Sequence, residues 1–221
     1  VQVLATGFDR PMLAVPDPTD PDRLFVVEQG GRVKILEPGM NTAPADNFMD
    51  LDVKNKVPGE IGPEQGLLGF AFHPDFPNDP RVYVNYNPAQ NGAAPTVVSE
   101  FTLDANDPDK VDMASEREVI VIDQPASNHN GGMIAFGPDG FLYIGMGDGG
   151  GSNDQFNTGR DPLSLHAKIL RIDVEPDGMP DSNKACDACD MVDGFDYTVP
   201  ADNPFVGDNN VAPEVWALGF R

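Results

Sequence analysis

Basic residues are scarce in this chain. Its 221 residues hold 14 Lys and Arg against 36 Asp and Glu, a formal net charge of −22. That balance excludes nucleic acid as a partner, because phosphates would be repelled and no basic stripe is visible. Anionic membrane surfaces are disfavoured on the same ground. Long hydrophobic runs are missing as well. No window of about 18 apolar residues exists, so no membrane insertion is expected. The acidic excess reads as a solvated surface, with calcium chelation by some of the carboxylates as the sharper alternative.

Cysteine is nearly absent: Cys186 and Cys189, in "KACDACD", are the two in the chain. With no second pair, a structural zinc site is excluded, and Asp190 stands where haem attachment needs His. A thioredoxin-type site wants a βαβ setting, whereas these residues lie in an acidic loop. The expectation is a small local disulfide across an exposed loop, in an oxidising compartment. Histidine is limited to His73, His129 and His166. There is no Gly-x-Ser-x-Gly elbow and no zinc-protease spacing, so nucleophilic-serine and transition-metal chemistry find no support. The chain starts at Val1 without Met, which reads as a mature or trimmed form.

Glycine and proline, by contrast, are plentiful, at 23 and 22 residues in a chain that is 40% hydrophobic. That mixture describes a folded protein with many turns rather than a disordered one. Three segments share one plan: "LAVPDPTDPDRLFVVEQ" from Leu13, "FAFHPDFPNDPRVYVNY" from Phe70 and "IAFGPDGFLYIGMG" from Ile134. Each is an apolar β-forming run, a Pro-Asp turn and a second such run. The Pro-Asp pairs begin at Pro16, Pro74 and Pro138, 58 and 64 residues apart. Further strand patterns lie in "GRVKIL", "TVVSEFTL", "REVIVID" and "KILRIDV", and helical periodicity is almost missing. The period suits one propeller blade with a long loop. The fold expected is therefore all-β, with three to four propeller blades in residues 1–221 as the N-terminal part of one domain. A half-ring that closes as a homo-oligomer is the other arrangement.

His73 sits in a Pro-Asp turn and His166 just before a strand, and both read as structural. His129 differs. It stands between Asn128 and Asn130 at the head of a run holding Gly131, Gly132, Gly137, Gly140, Gly145, Gly147, Gly149 and Gly150. Backbone so bare can fold tightly or let something large approach. From the residues alone, His129 is either a core histidine or a base held over a ligand.

Five blocks resolve this by resemblance: "EQGLLGFAFHPDF" from Glu64, "NHNGGMIAFGPDGFLYIGMGDGG" from Asn128, "KILRIDV" from Lys168, "YTVPADNPF" from Tyr197 and "PEVWALGFR" from Pro213. In this order they resemble the soluble quinoprotein sugar dehydrogenases, or glucose/sorbosone dehydrogenases, over nearly the whole chain. The resemblance implies a six-bladed β-propeller that binds pyrroloquinoline quinone and calcium and oxidises the anomeric hydroxyl of a small-molecule sugar. Electrons then pass to an external acceptor, and the compartment is secreted or periplasmic. It implies His129 as general base, a role that suits an imidazole near neutral pH. It places Arg221 on the quinone oxygens as a catalytic and cofactor-binding residue. Asn153 and Asn128 become cofactor contacts, and Glu64 a substrate contact. The glycines around His129 would leave room for a flat cofactor. Calcium ligands are expected further along than Arg221. His166-Ala167 departs from the family's Leu-Gly at one turn. The same ring also serves hedgehog-interacting proteins, which recognise rather than catalyse, and calcium-dependent lactonases.

Overall fold

A computed structural model describes residues 3–53, 64–90, 92–175 and 197–220. Within them the chain forms three antiparallel sheets. The first is a meander of β1 (Pro11–Pro16), β2 (Leu24–Glu28), β3 (Arg32–Leu36) and the short β4 (Met49–Asp50). The second joins β5 (Leu67–Phe72), β6 (Arg81–Tyr86) and β7 (Thr96–Asp104). β7 is long enough to take two partners: β9 (Arg117–Ile122) along its first half and β8 (Asp107–Val111) at its end. The third runs β10 (Gly131–Phe136), β11 (Leu142–Met146), β12 (Lys168–Ile172) and β13 (Val215–Leu218). The one helical element is a single 3-10 turn at Met113–Ser115. Among the described residues no helix is long and apolar enough to cross a membrane.

The three Pro-Asp segments are the first hairpins of the three sheets, β1–β2, β5–β6 and β10–β11. Among the described residues each Pro-Asp repeat thus opens one sheet. All-β architecture follows from the strands themselves: Val, Ile, Tyr and Phe fill them, and their alternation sends side chains to both faces. β6 shows how. Val82 and Val84 enter the core shared with the first sheet, while Tyr83 enters the core shared with the third. The middle sheet is thus covered on both sides, and all six residues of β5 are buried. Between the first two sheets, Phe25 meets Phe48 and Phe72 edge-on at 4.8 and 4.9 Å, the geometry that aromatic quadrupoles favour. Between the second and third, Ala71, Val98, Ile120, Ile134, Leu142 and Leu170 are packed together.

The first strands of the second and third sheets come closer than side chains allow. A Cβ on Gly69 would lie 2.2 Å from the Gly132 carbonyl oxygen, and one on Gly132 would lie 2.4 Å from the Leu68 Cβ. Only glycine fits such contacts.

The turns at the Pro-Asp end are held by arginines. Arg23 bonds Asp17 of the first Pro-Asp pair and Glu37. Arg81 bonds Asp79 and Glu100 of its own sheet and Glu175, which follows the third. Arg171 of β12 bonds Asp139, Asp202 and Asn203, and lies 4.4 Å over the Phe141 ring. His73 accepts the Asp75 N–H at Nδ1, across its own turn, and so presents Nε2–H to Glu175 at 2.8 Å. Its structural role agrees with the sequence reading. His166 is buried, with Nδ1 3.0 Å from the Ser164 hydroxyl. The loop with Cys186 and Cys189 lies outside the described residues.

Candidate functional site

At the other end of the third sheet, the loop after β9 delivers His129 to the start of β10. His129 has φ +55°, in the left-handed region that a residue with a Cβ seldom adopts. Three hydrogen bonds hold it there. Its N–H donates to Glu64 Oε2 at 2.6 Å, and its carbonyl accepts from Gly149 N–H at 3.2 Å. Its ring Nδ1 lies 2.7 Å from Asp148 Oδ1.

Asp148 follows β11 and is 2% exposed, while the His129 ring is 30% exposed. An ionised carboxylate accepts only, so Nδ1 carries the proton and Nε2 the lone pair. Asp148 is itself placed by two bonds: its Oδ1 accepts from Gly150 N–H, and its carbonyl accepts from the Thr158 hydroxyl at 2.6 Å. The result is an imidazole with one nitrogen anchored in the protein and a basic nitrogen on the partly exposed side.

Beside it lies a cavity of about 270 Å³, lined by Asp148, Asn153, Asp154, Ala167, Gly219 and Phe220 among others. Asn153 and Asp154 both have positive φ, a conformation their short polar side chains tolerate. The Asp154 carboxylate accepts from Gly159 and Arg160 N–H and so closes its own loop. Ala167 takes φ +56° and donates its N–H to the Gly147 carbonyl at 2.7 Å. The turn at His166-Ala167, where the family tends to carry glycine, therefore keeps a glycine-like backbone without the glycine.

Of the residues singled out in the sequence, His129, Glu64, Asn128 and Asn153 gather at this end. Asn128 turns its Oδ1 onto Gly151 N–H at 3.3 Å, tying the His129 loop to the loop after β11. Arg221 lies outside the described residues, and the two residues before it, Gly219 and Phe220, line the cavity.

The glycines need a correction. Those nearest His129 are required by the protein's own backbone rather than by a bound molecule. A Cβ on Gly147 would stand 1.9 Å from the His129 carbonyl oxygen, and one on Gly131 would stand 2.4 Å from that of Gly145. One on Gly150 would meet Asn128 Oδ1 at 2.5 Å.

Sequence reasoning missed Asp148. A signal was present, since Leu142, Ile144 and Met146 point inward at period two and Asp148 continues that series. An acid at an inward position after an apolar strand needs a partner. His129, 19 residues earlier, is that partner.

Residues 10–221 match the family model for glucose/sorbosone dehydrogenase, and the chain belongs to that family. Over its full length it is 32% identical to the Hedgehog-interacting protein of Mus musculus, of which it spans 30%. Among solved structures it resembles the soluble aldose sugar dehydrogenase of Escherichia coli in its apo-form. There the TM-score is 0.72 at 25% identity, covering 100% of this chain and 54% of that one. It also resembles the PQQ-bound aldose sugar dehydrogenase of Streptomyces coelicolor, with a TM-score of 0.63 at 26% identity, covering 86% of this chain and 52% of that one. The fold is thus that of the quinoprotein sugar dehydrogenase propellers, and the chain spans about half the length of these structures.

Proposed function

We propose that this chain is part of a sugar dehydrogenase that oxidises the anomeric hydroxyl of an aldose, with His129 as general base. One observation carries the reading: Asp148 holds the His129 Nδ1–H at 2.7 Å, which leaves Nε2 as the acceptor. In that role Nε2 takes the proton of the anomeric hydroxyl while hydride leaves the adjacent carbon, giving the lactone. Glu64 fixes the backbone from which the imidazole projects, through the His129 N–H.

Pyrroloquinoline quinone, when bound, would supply the two-electron acceptor. On the cavity wall Asn153 would offer an amide, and Ala167 and Phe220 apolar surface, to a flat ring system; the two carboxylates of the wall, Asp148 and Asp154, are paired with His129 and Arg160. Arg221 is proposed to meet its oxygens. The Asn128 amide nitrogen is proposed as a further donor, its carbonyl oxygen being used by Gly151. Among the described residues no group of three or more His, Cys, Asp and Glu could hold a metal ion, so no step is assigned to calcium here. Export to a periplasmic or extracellular compartment and an external electron acceptor belong to the same proposal.

A second reading is a recognition propeller. It is favoured by the 32% identity to the mouse Hedgehog-interacting protein, against 26% to the PQQ-bound enzyme. One experiment separates the two. The full-length protein is supplied with pyrroloquinoline quinone and calcium, then given aldoses and an artificial electron acceptor. The dehydrogenase reading expects acceptor reduction that requires the quinone. Failure of the full-length chain to bind quinone would overturn it and leave recognition as the better account.

A further inference from the structure

A second cavity, of about 310 Å³, opens between the second sheet and the loop that precedes β12. Its wall includes Pro95, Asp123, Gln124, Pro125, Thr158 and His166, none of which lines the cavity beside His129. The volume is at the small end of the range for ligand pockets.

Its chemistry is specific. Asp123 brings the one charged side chain of the wall, and the rest is amide, hydroxyl, imidazole, proline and alanine. Gln124 is the most informative member. It is 8% exposed, its Nε2 donates to the Thr96 hydroxyl at 2.7 Å, and its Oε1 is buried without a hydrogen-bond partner. A buried acceptor of this kind is normally satisfied.

We infer that this cavity is a second ligand site, for a neutral polyol of about hexose size. Vicinal hydroxyls both donate and accept, which matches the Asp123 carboxylate and the Gln90 amide beside the Thr158 hydroxyl. The rings of Pro95 and Pro125 offer apolar surface to the C–H faces of such a ligand. A strongly charged ligand is a poor match, because an anion would meet Asp123 and a multivalent cation would find a single carboxylate. The site shares its back wall with the His129 site without being part of it. A Cβ on Gly149 would lie 2.7 Å from Pro125 Cδ and 3.0 Å from His166 Cδ2, so these two residues flank the segment after Asp148. Thr158 reaches through to the Asp148 carbonyl.

The test is a titration of the ¹⁵N-labelled full-length protein with sorbitol, a hexose-sized polyol without an anomeric hydroxyl. No turnover or quinone is needed, so the outcome is independent of the dehydrogenase reading. Saturable shifts are expected at the amides of Ala93, Gln124, Thr158 and His166, and not at Asn153, Gly219 or Phe220. Ala93 lines the cavity, so Ala93→Leu fills it without removing a hydrogen-bonding side chain. Asp123 is exposed, so Asp123→Ala leaves the packing intact. Each variant should keep a native spectrum and weaken sorbitol by about tenfold or more, Asp123→Ala by the loss of one charge-assisted bond and Ala93→Leu by the loss of space. Shifts confined to Asn153, Gly219 and Phe220 would overturn the inference. So would unsaturable shifts spread over the surface, or an Ala93→Leu protein that titrates like the wild type.

Discussion

The two ends of the third sheet use aspartate in opposite ways. At the Pro138-Asp139 turn the carboxylate meets Arg171, which also holds Asp202 and stacks between Phe141 and Trp216. At the other end Asp148 meets an imidazole, whose second nitrogen is left basic. One end neutralises charge with a guanidinium that never loses its proton, and the other pairs it with an imidazole whose second nitrogen is free to accept one. The same strands carry both. The third sheet therefore separates an arginine-held rim from a histidine-bearing one by the length of a strand.

Sharp tests of this contrast begin at the chemical end. His129→Gln should lower the turnover of the quinone-loaded full-length enzyme by about 10²–10⁴-fold, with the thermal midpoint nearly unchanged. A rate within a few-fold of wild type would remove His129 from the chemistry. At the structural end, Arg171→Ala should lower unfolding free energy by about 1–3 kcal/mol in denaturant titration, because the buried Asn203 amide oxygen loses its donor. Turnover per folded molecule should not move, and a parallel loss of rate would show that the two ends are coupled.

Asp148→Ala should act more mildly on rate, by about tenfold or more, since the imidazole is no longer held in one tautomer. Its signature is a changed pH–rate profile rather than a lost one. Ala167→Gly should raise stability by about 0.5–1 kcal/mol. Relief of the left-handed strain outweighs the entropy that glycine loses on folding. No gain would mean that the surrounding turn relaxes around alanine.

The smallest effect concerns pH. Hydrogen bonds from Arg171 hold Asp202 below the usual carboxylate range. Burial pushes Asp139 up, yet its bonds to Tyr143 and Arg171 bring it below that range as well. Their contribution is present above the unfolded pKa and fades as pH falls through the folded one. Glu214 runs the other way. Burial raises its carboxyl, against a bond from Tyr197. Its contribution is full below the unfolded pKa and is lost as pH rises through the folded value. Glu214→Gln should therefore flatten the decline in stability on the neutral side, by thermal melts across pH, and leave the acid limb in place. An unchanged neutral limb would show that Glu214 is not the group responsible.

Much of this was legible in the amino-acid order because its causes are local. Pro-Asp at residues 16, 74 and 138 marks turns by its own backbone preferences, and the Val, Ile, Tyr and Phe runs beside it are strands by theirs. The strands expected at "GRVKIL", "TVVSEFTL", "REVIVID" and "KILRIDV" are β3, β7, β9 and β12. β4 and β8 escaped notice. One has two residues and the other reads "DPDKV", with no apolar pattern to betray it. Their strand character comes from the neighbours they pair with.

The site divides along the same line. His129 stood out by composition, as a histidine at the head of a glycine run, whereas its left-handed backbone is seen only in the structure. Its partners did not stand out, because Asp148 lies 19 residues and Glu64 65 residues away, and which carboxylate reaches which nitrogen depends on the register of β10 with β11 and on how the second sheet meets the third. The glycines make the same point. Their number was plain, but their reason is the approach of one backbone to another, as where Gly69 meets Gly132. Local propensity wrote the strands and turns of this protein. The pairing of β10 with β11 chose the proton's owner on His129, because only that register brings Asp148 beside the ring across 19 residues of chain.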